Sequence, residues 1–112
     1  MSYQLVITQA AETDMTEICT YISLDLHAPE SALALLDKID CHILSLEHMP
    51  KRFALVSDEK LARLGIRLIP VKNYLIFYFV DDYKEAVTIV RVLYSKRDWV
   101  NLLSVKEERQ SR

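Results

Sequence analysis

From Gly65 to Tyr94 the chain reads as three apolar runs, broken at Lys72-Asn73 and at Asp81-Asp82-Tyr83-Lys84. Runs of this length, rich in Ile, Val, Leu, Phe and Tyr and bounded by turn residues, predict consecutive antiparallel strands over Gly65–Val71, Tyr74–Val80 and Glu85–Tyr94. The middle run is apolar on both alternating faces: Tyr74, Ile76, Tyr78 and Val80 on one, Leu75, Phe77 and Phe79 on the other. Only a central strand covered on both sides tolerates that pattern. Pro70 removes a ladder donor, which puts the first run at a sheet edge or marks a bulge. In the last run, alternation assigns Val87, Ile89, Arg91 and Leu93 to one face and Thr88, Val90, Val92 and Tyr94 to the other. An arginine inside an apolar strand needs water or a carboxylate, so Arg91 either pairs internally or lies on an open face.

Upstream, residues 3–7 form a short strand candidate, and Thr8 fits the N-cap of a helix. Ala11, Met15, Ile18, Ile22 and Leu26 follow at helical spacing, with Glu12, Asp14, Glu17 and Asp25 mostly turned outward. His27-Ala28-Pro29 breaks this helix, and Pro29 suits the first turn of a second one reaching Glu47. Its buried stripe is Ala32, Leu35, Leu36, Ile39, Ile43 and Leu46. Two helices joined so tightly form an αα-hairpin lying on the sheet. Lys51 to Arg63 reads as a polar connection with one helical turn. Ser95-Lys96-Arg97-Asp98 predicts a capping box with Ser95 as cap, opening a short last helix through Trp99, Leu102 and Leu103. The expected fold is therefore α+β: an N-terminal strand, an αα-hairpin, a three-stranded antiparallel meander and a short C-terminal helix, with the helices on one side of the sheet. Residues 1–105 form one domain, and residues 106–112 a charged, frayed tail.

The 51% apolar and 27% charged shares are those of an ordinary globular chain, and no apolar run approaches a membrane span. With no signal-peptide pattern at its N-terminus, the chain is expected in the cytoplasm, away from membranes. Cys19 and Cys41 lack metal-ligand spacing and read as small core residues, and His42 and His48 stand too isolated to propose as ligands. With one glycine, phosphate-cradling loops are excluded, and neither metal nor cofactor is expected. Charge is divided unevenly. Residues 1–50 carry a net −7, with Lys38 as their one cation, and residues 51–112 carry +5. That division suggests an acidic helical layer and a basic sheet side, the latter suited to an acidic protein segment or a phosphate backbone.

Gly65-Ile66-Arg67, Asn73-Tyr74-Leu75-Ile76-Phe77-Tyr78 and Arg91-Val92-Leu93-Tyr94-Ser95-Lys96-Arg97-Asp98-Trp99 together resemble the RelE/ParE superfamily, the toxins of bacterial type II toxin–antitoxin modules. Tyr3, Ile7, Thr8, Ala11 and Asp14 are similar to its N-terminal pattern, and Ser45-Leu46 with Met49-Pro50 to its second helix end. The likeness spans residues 3 to about 103. It implies a small cytoplasmic toxin that arrests growth or stabilises a plasmid. A cognate antitoxin would neutralise it by wrapping a C-terminal segment around it, and operator DNA would be reached only through that antitoxin. A sheet apolar on both faces, with one helical hairpin, is expected to leave a side under-covered for such a segment. Arg67, Arg91, Lys96, Arg97 and Trp99 are the expected antitoxin- or target-binding residues. The competing reading is that the last helix closes that face by itself.

Two mechanisms follow from the resemblance. RelE-like members cleave mRNA on the ribosome without metal, which requires a base, cations for the developing phosphorane charge and an acid. Arg67, Arg91, Tyr94 and Arg97 are the candidate catalytic residues under that reading. The match is partial: the family's central-strand arginine falls on Leu75, and its terminal tyrosine on Leu103. ParE-like members lack the catalytic set and poison DNA gyrase through protein contacts. The segment Arg91–Asp98 is closer to their last strand, and a pI near 5.9 argues against docking into ribosomal RNA. The ParE-like reading is preferred, mRNA cleavage is the alternative, and an inert interaction module on the same fold is the third. Arg91 and Arg97 are expected to carry toxicity without holding the fold.

Overall fold

The structure, a computed structural model, describes residues 2–110, with side-chain surroundings through Ser104. A four-stranded sheet has the order β1 (Gln4–Ile7), β4 (Ala86–Tyr94), β3 (Tyr74–Asp81), β2 (Arg67–Val71). β1 runs parallel to β4, and the remaining pairs are antiparallel. The α+β order of elements is the one the sequence predicts. β3 is internal, and β2, which carries Pro70, is an edge strand.

The helical hairpin covers one face. α1 (Gln9–Thr20) starts at Thr8, whose hydroxyl accepts the Ala11 N–H at 3.1 Å. It ends in one π-helical turn, Tyr21–Asp25, and α2 (Pro29–Ser45) follows with Pro29 in its first turn. Ala11, Ile22, Leu35, Ile39, Ile43 and Leu46 pack there against Ile76, Tyr78, Val87, Ile89 and Val92. The α2 end is held by Arg52, whose guanidinium donates to the carbonyls of His48 (2.9 Å) and Met49 (3.2 Å).

The opposite face is not left open as expected. A second core, built on Phe77 and Leu93, is completed by Val56, Leu61, Ile66 and Leu103, with Trp99 and Leu102 packed around it. α3 (Glu59–Arg63) and the start of α4 (Trp99–Gln110) therefore cover the side away from the hairpin. An under-covered sheet face would expose Phe77, a large apolar side chain, and the short helices remove that cost. The competing expectation, closure through Trp99, Leu102 and Leu103, describes this face better. α4 also starts later than the predicted box. Asp98, not Ser95, acts as its cap, accepting from the backbone and side-chain N–H groups of Asn101 at 3.4 and 2.6 Å. The expected tail, 106–112, has side chains outside the described residues. Of the two thiols, Cys19 is half-buried against the core, whereas Cys41 is exposed and does not serve as the core residue expected.

Strand alternation in β4 fails at one residue. Phe77 pairs with Arg91 but Tyr78 pairs with Ile89, so Val90 is a bulge. Because side chains alternate with period two, the extra residue moves everything beyond it to the other face. Val92 joins Ile89 under the helices, and Leu93 joins the second core.

Candidate functional site

The site begins with a mismatch of strand lengths. β1 has four residues and β4 nine, so β1 stops opposite Ile89 and leaves the outer edge of β4 without a strand from Val90 onward. Backbone groups on such an edge need other partners. α1 supplies them. The Thr8 N–H donates to the Ile89 carbonyl (3.1 Å) and its hydroxyl to the Val90 carbonyl (2.8 Å). The Asp14 carboxylate accepts the Val92 N–H at 3.0 Å.

Asp14 is therefore buried, not turned outward as expected. Its carboxylate also takes both arms of Arg91, Nε at 2.7 Å and Nη2 at 2.8 Å. The side chains are 6% and 18% exposed. This is the bidentate, charge-assisted geometry that holds two ions together strongly. The hydrogen bonds that Arg91 donates to Asp14 raise the Arg91 pKa, burial opposing them. Of the two fates the sequence left open for Arg91, the structure takes the internal pair. This pairing argues against the expectation that Arg91 is dispensable for the fold.

Beside this pair lies an open cleft of about 530 Å³, bounded by Glu17 and Ile18 of α1, Tyr21 of the π turn, Leu26, and the ends of β3 and β4. Tyr74 and Tyr94 meet edge to face inside it, with ring centroids 5.7 Å apart, and Arg97 closes one end. Partial burial, reinforced by neighbouring Tyr21 and Tyr94, pushes the Tyr74 phenol above its usual value, so it remains a neutral donor at physiological pH. The π turn shapes the wall, since its widened hydrogen bonding, Leu26 N–H to Tyr21 carbonyl at 3.1 Å, turns Tyr21 and Leu26 outward.

The residues picked from the sequence do not assemble around one point. Tyr94 and Arg97 line the cleft, and Arg91 lies behind it, engaged by Asp14. Lys96 is exposed in the turn after β4. Arg67 sits on the far edge strand, donating to the carbonyls of Phe53 (2.6 Å) and Lys51 (3.3 Å). Trp99 belongs to the second core, its ring 5.2 Å from that of Phe77. Sequence reasoning missed Asp14, Tyr21 and Tyr74 as members of the site. One signal was available for Asp14: it lies three residues after Ala11 and four before Ile18, on the buried stripe itself.

The profile of the family described as the ParE toxin of the type II toxin–antitoxin system, parDE, matches residues 5–99. The chain belongs to the ParE toxin family. It is a toxin of a type II toxin–antitoxin system. Solved structures share the fold. A chromosomal ParDE toxin–antitoxin system from P. aeruginosa matches with a TM-score of 0.66 and 20% identity, covering 85% of this chain and 98% of that one. A mutant of E. coli toxin RelE in the free state matches at 0.67 and 15%, covering 96% and 98%. A RelBE-type toxin–antitoxin complex from Mycobacterium tuberculosis matches at 0.58 and 20%, covering 84% and 99%. Comparison with curated sequences returns no match. No helix among the described residues of this ParE-family chain is long and apolar enough to cross a membrane.

Proposed function

We propose that this ParE-family toxin acts in the cytoplasm by protein contacts that inhibit DNA gyrase, arresting growth or stabilising a plasmid, and that a cognate antitoxin neutralises it. The observation that carries the preference over RNA cleavage is the engagement of Arg91 by Asp14. Phosphoryl transfer needs several cations converging on one developing charge. Among the four candidate catalytic residues, Arg91 is neutralised by a buried carboxylate, and Arg67, on another strand, is tied to the backbone carbonyls of Phe53 and Lys51. Only Arg97 and Tyr94 share the cleft. The positions where the RelE-like pattern has its central arginine and terminal tyrosine hold Leu75 and Leu103, both packed in the second core.

The test is induced expression in a bacterial host with three readouts: growth, a DNA-damage reporter and transcript integrity. Arrest with the reporter on and transcripts intact is the expected result, and Tyr94→Phe retains it because no proton transfer is needed. Arrest with cleaved ribosome-bound mRNA and a silent reporter would overturn the gyrase reading in favour of mRNA cleavage. Growth without arrest would leave an inert module.

A further inference from the structure

A cleft of about 340 Å³ between α2 and the β2–β3 turn is lined by two cations and no acid. Lys38 of α2 and Lys72 of the turn both border it, and their ammonium groups approach within hydrogen-bonding reach. Neither takes part in an ion pair among the described residues. Lys38 has no acid three or four positions away on its helix, where Ala34, Leu35, Cys41 and His42 stand. Asp37, next to it in sequence, does not share its side of the helix. Lys72 holds a left-handed backbone, φ 56°, in a two-residue turn that glycine or asparagine would fill with less strain. A lysine is thus kept where the local backbone disfavours it and where another lysine repels it.

Two changes relieve such repulsion: one amine gives up its proton, or an anion sits beside the pair. The Lys72 charge, and the hydrogen bond within the pair, push the Lys38 pKa below the usual lysine value. An unprotonated lysine is a nucleophile, and a neighbouring cation is one way to obtain it. Ser31 and Asn73 also line the cleft and supply hydroxyl and amide donors for an anion. All four side chains are exposed, so a small reagent reaches them.

We propose that Lys38 is an acylation site whose reagent is a small acyl phosphate, its phosphate seated beside Lys72 and its carbonyl presented to the Lys38 amine. The unprotonated Nζ attacks the carbonyl carbon. A C–N bond forms, the C–O bond to phosphate breaks, and inorganic phosphate leaves with the electron pair while the Nζ proton passes to solvent. The resulting amide is neutral, which removes the one Lys or Arg of residues 1–50 and ends the repulsion with Lys72. An acyl phosphate suits the cleft better than a neutral acyl thioester, which brings no charge for Lys72 to attract.

The experiment incubates the purified full-length toxin with acetyl phosphate at neutral pH and follows acetylation of each lysine by peptide mass spectrometry. Lys60 and Lys84, also exposed and outside any ion pair among the described residues, serve as internal references. Lys38 is expected to react at least about threefold faster than either, and to fall to their rate in Lys72→Gln. Lys72→Arg keeps the cation and is expected to keep the advantage, which separates charge from any change in folding. With S-acetyl-N-acetylcysteamine, a neutral thioester, the advantage is expected to shrink. A wild-type Lys38 no faster than Lys60, modification at Lys72 in its place, or an advantage that survives Lys72→Gln would overturn the site. An equal advantage with the thioester would overturn the choice of acyl phosphate.

Discussion

Replacing Asp14 by alanine removes the acceptor of three hydrogen bonds at once, two from Arg91 and one from the Val92 N–H. Removing one partner of a buried ion pair costs about 3–5 kcal/mol, because the surviving charge is left without compensation. The Arg91 side chain keeps 18% exposure, so water recovers part of that loss and about 2–4 kcal/mol is expected. For a domain of this size that is a fall in Tm of roughly 10–20 °C. Thermal and urea unfolding followed by circular dichroism measure it. The companion variants are Asp14→Leu, Arg91→Met and the double variant Asp14→Leu/Arg91→Met, which replaces the pair with apolar groups and recovers most of the stability. A coupling energy of about 1.5 kcal/mol or more is expected from the cycle. An Asp14→Ala protein within about 0.5 kcal/mol of the wild type, or a coupling indistinguishable from zero, would refute the role given to this pair. The same set decides what Arg91 does for toxicity. A stable double variant that still arrests growth assigns Arg91 to the fold, and a stable but harmless one assigns it to the target.

Two further outcomes follow from single contacts. Tyr78→Phe leaves the Pro50 carbonyl without the buried phenol that donates to it at 2.6 Å; unfolding free energy should fall by about 1–2 kcal/mol at an unchanged m-value, and a neutral result would mean that water replaces the phenol. The hydrogen bond and charge of Lys51, with a further bond from Tyr3, hold the Asp82 carboxyl below its usual 3.8. Its folded pKa lies below its unfolded one, so its contribution is present above that value and is lost as pH falls through the folded value. The Tm advantage of wild type over Asp82→Asn should therefore be level at neutral pH and shrink below about pH 4; a constant difference down to about pH 2.5 would exclude the linkage.

What was legible in the sequence was local. The two faces of β3, the edge position of β2 through Pro70, the Thr8 cap and the start of α2 at Pro29 each follow from residues close together in the chain. The failures are non-local. The Val90 bulge cannot be read from alternation, since an extra residue shows only once the β3 partner is known, yet it decides that Val92 and not Leu93 lies under the helices. Asp14 looks like a solvent-facing acid until Arg91, distant in sequence, is brought against it. Arg67 looked like one of a basic set, but its strand faces Phe53 and Lys51 and not the cleft.

Stability and site share a cause at the end of β4. A β1 long enough to pair with Val92 would satisfy that N–H by ladder hydrogen bonding and leave Asp14 and Thr8 no backbone to serve. It would also occupy the outer edge of β4 beside the cleft. The chain instead stops β1 at Ile7, lets α1 side chains take the free edge, and keeps an opening where Tyr74, Tyr94 and Arg97 meet. Asp14 belongs to both the ion pair and the cleft wall. Substitutions there should therefore alter stability and the shape of the cleft together.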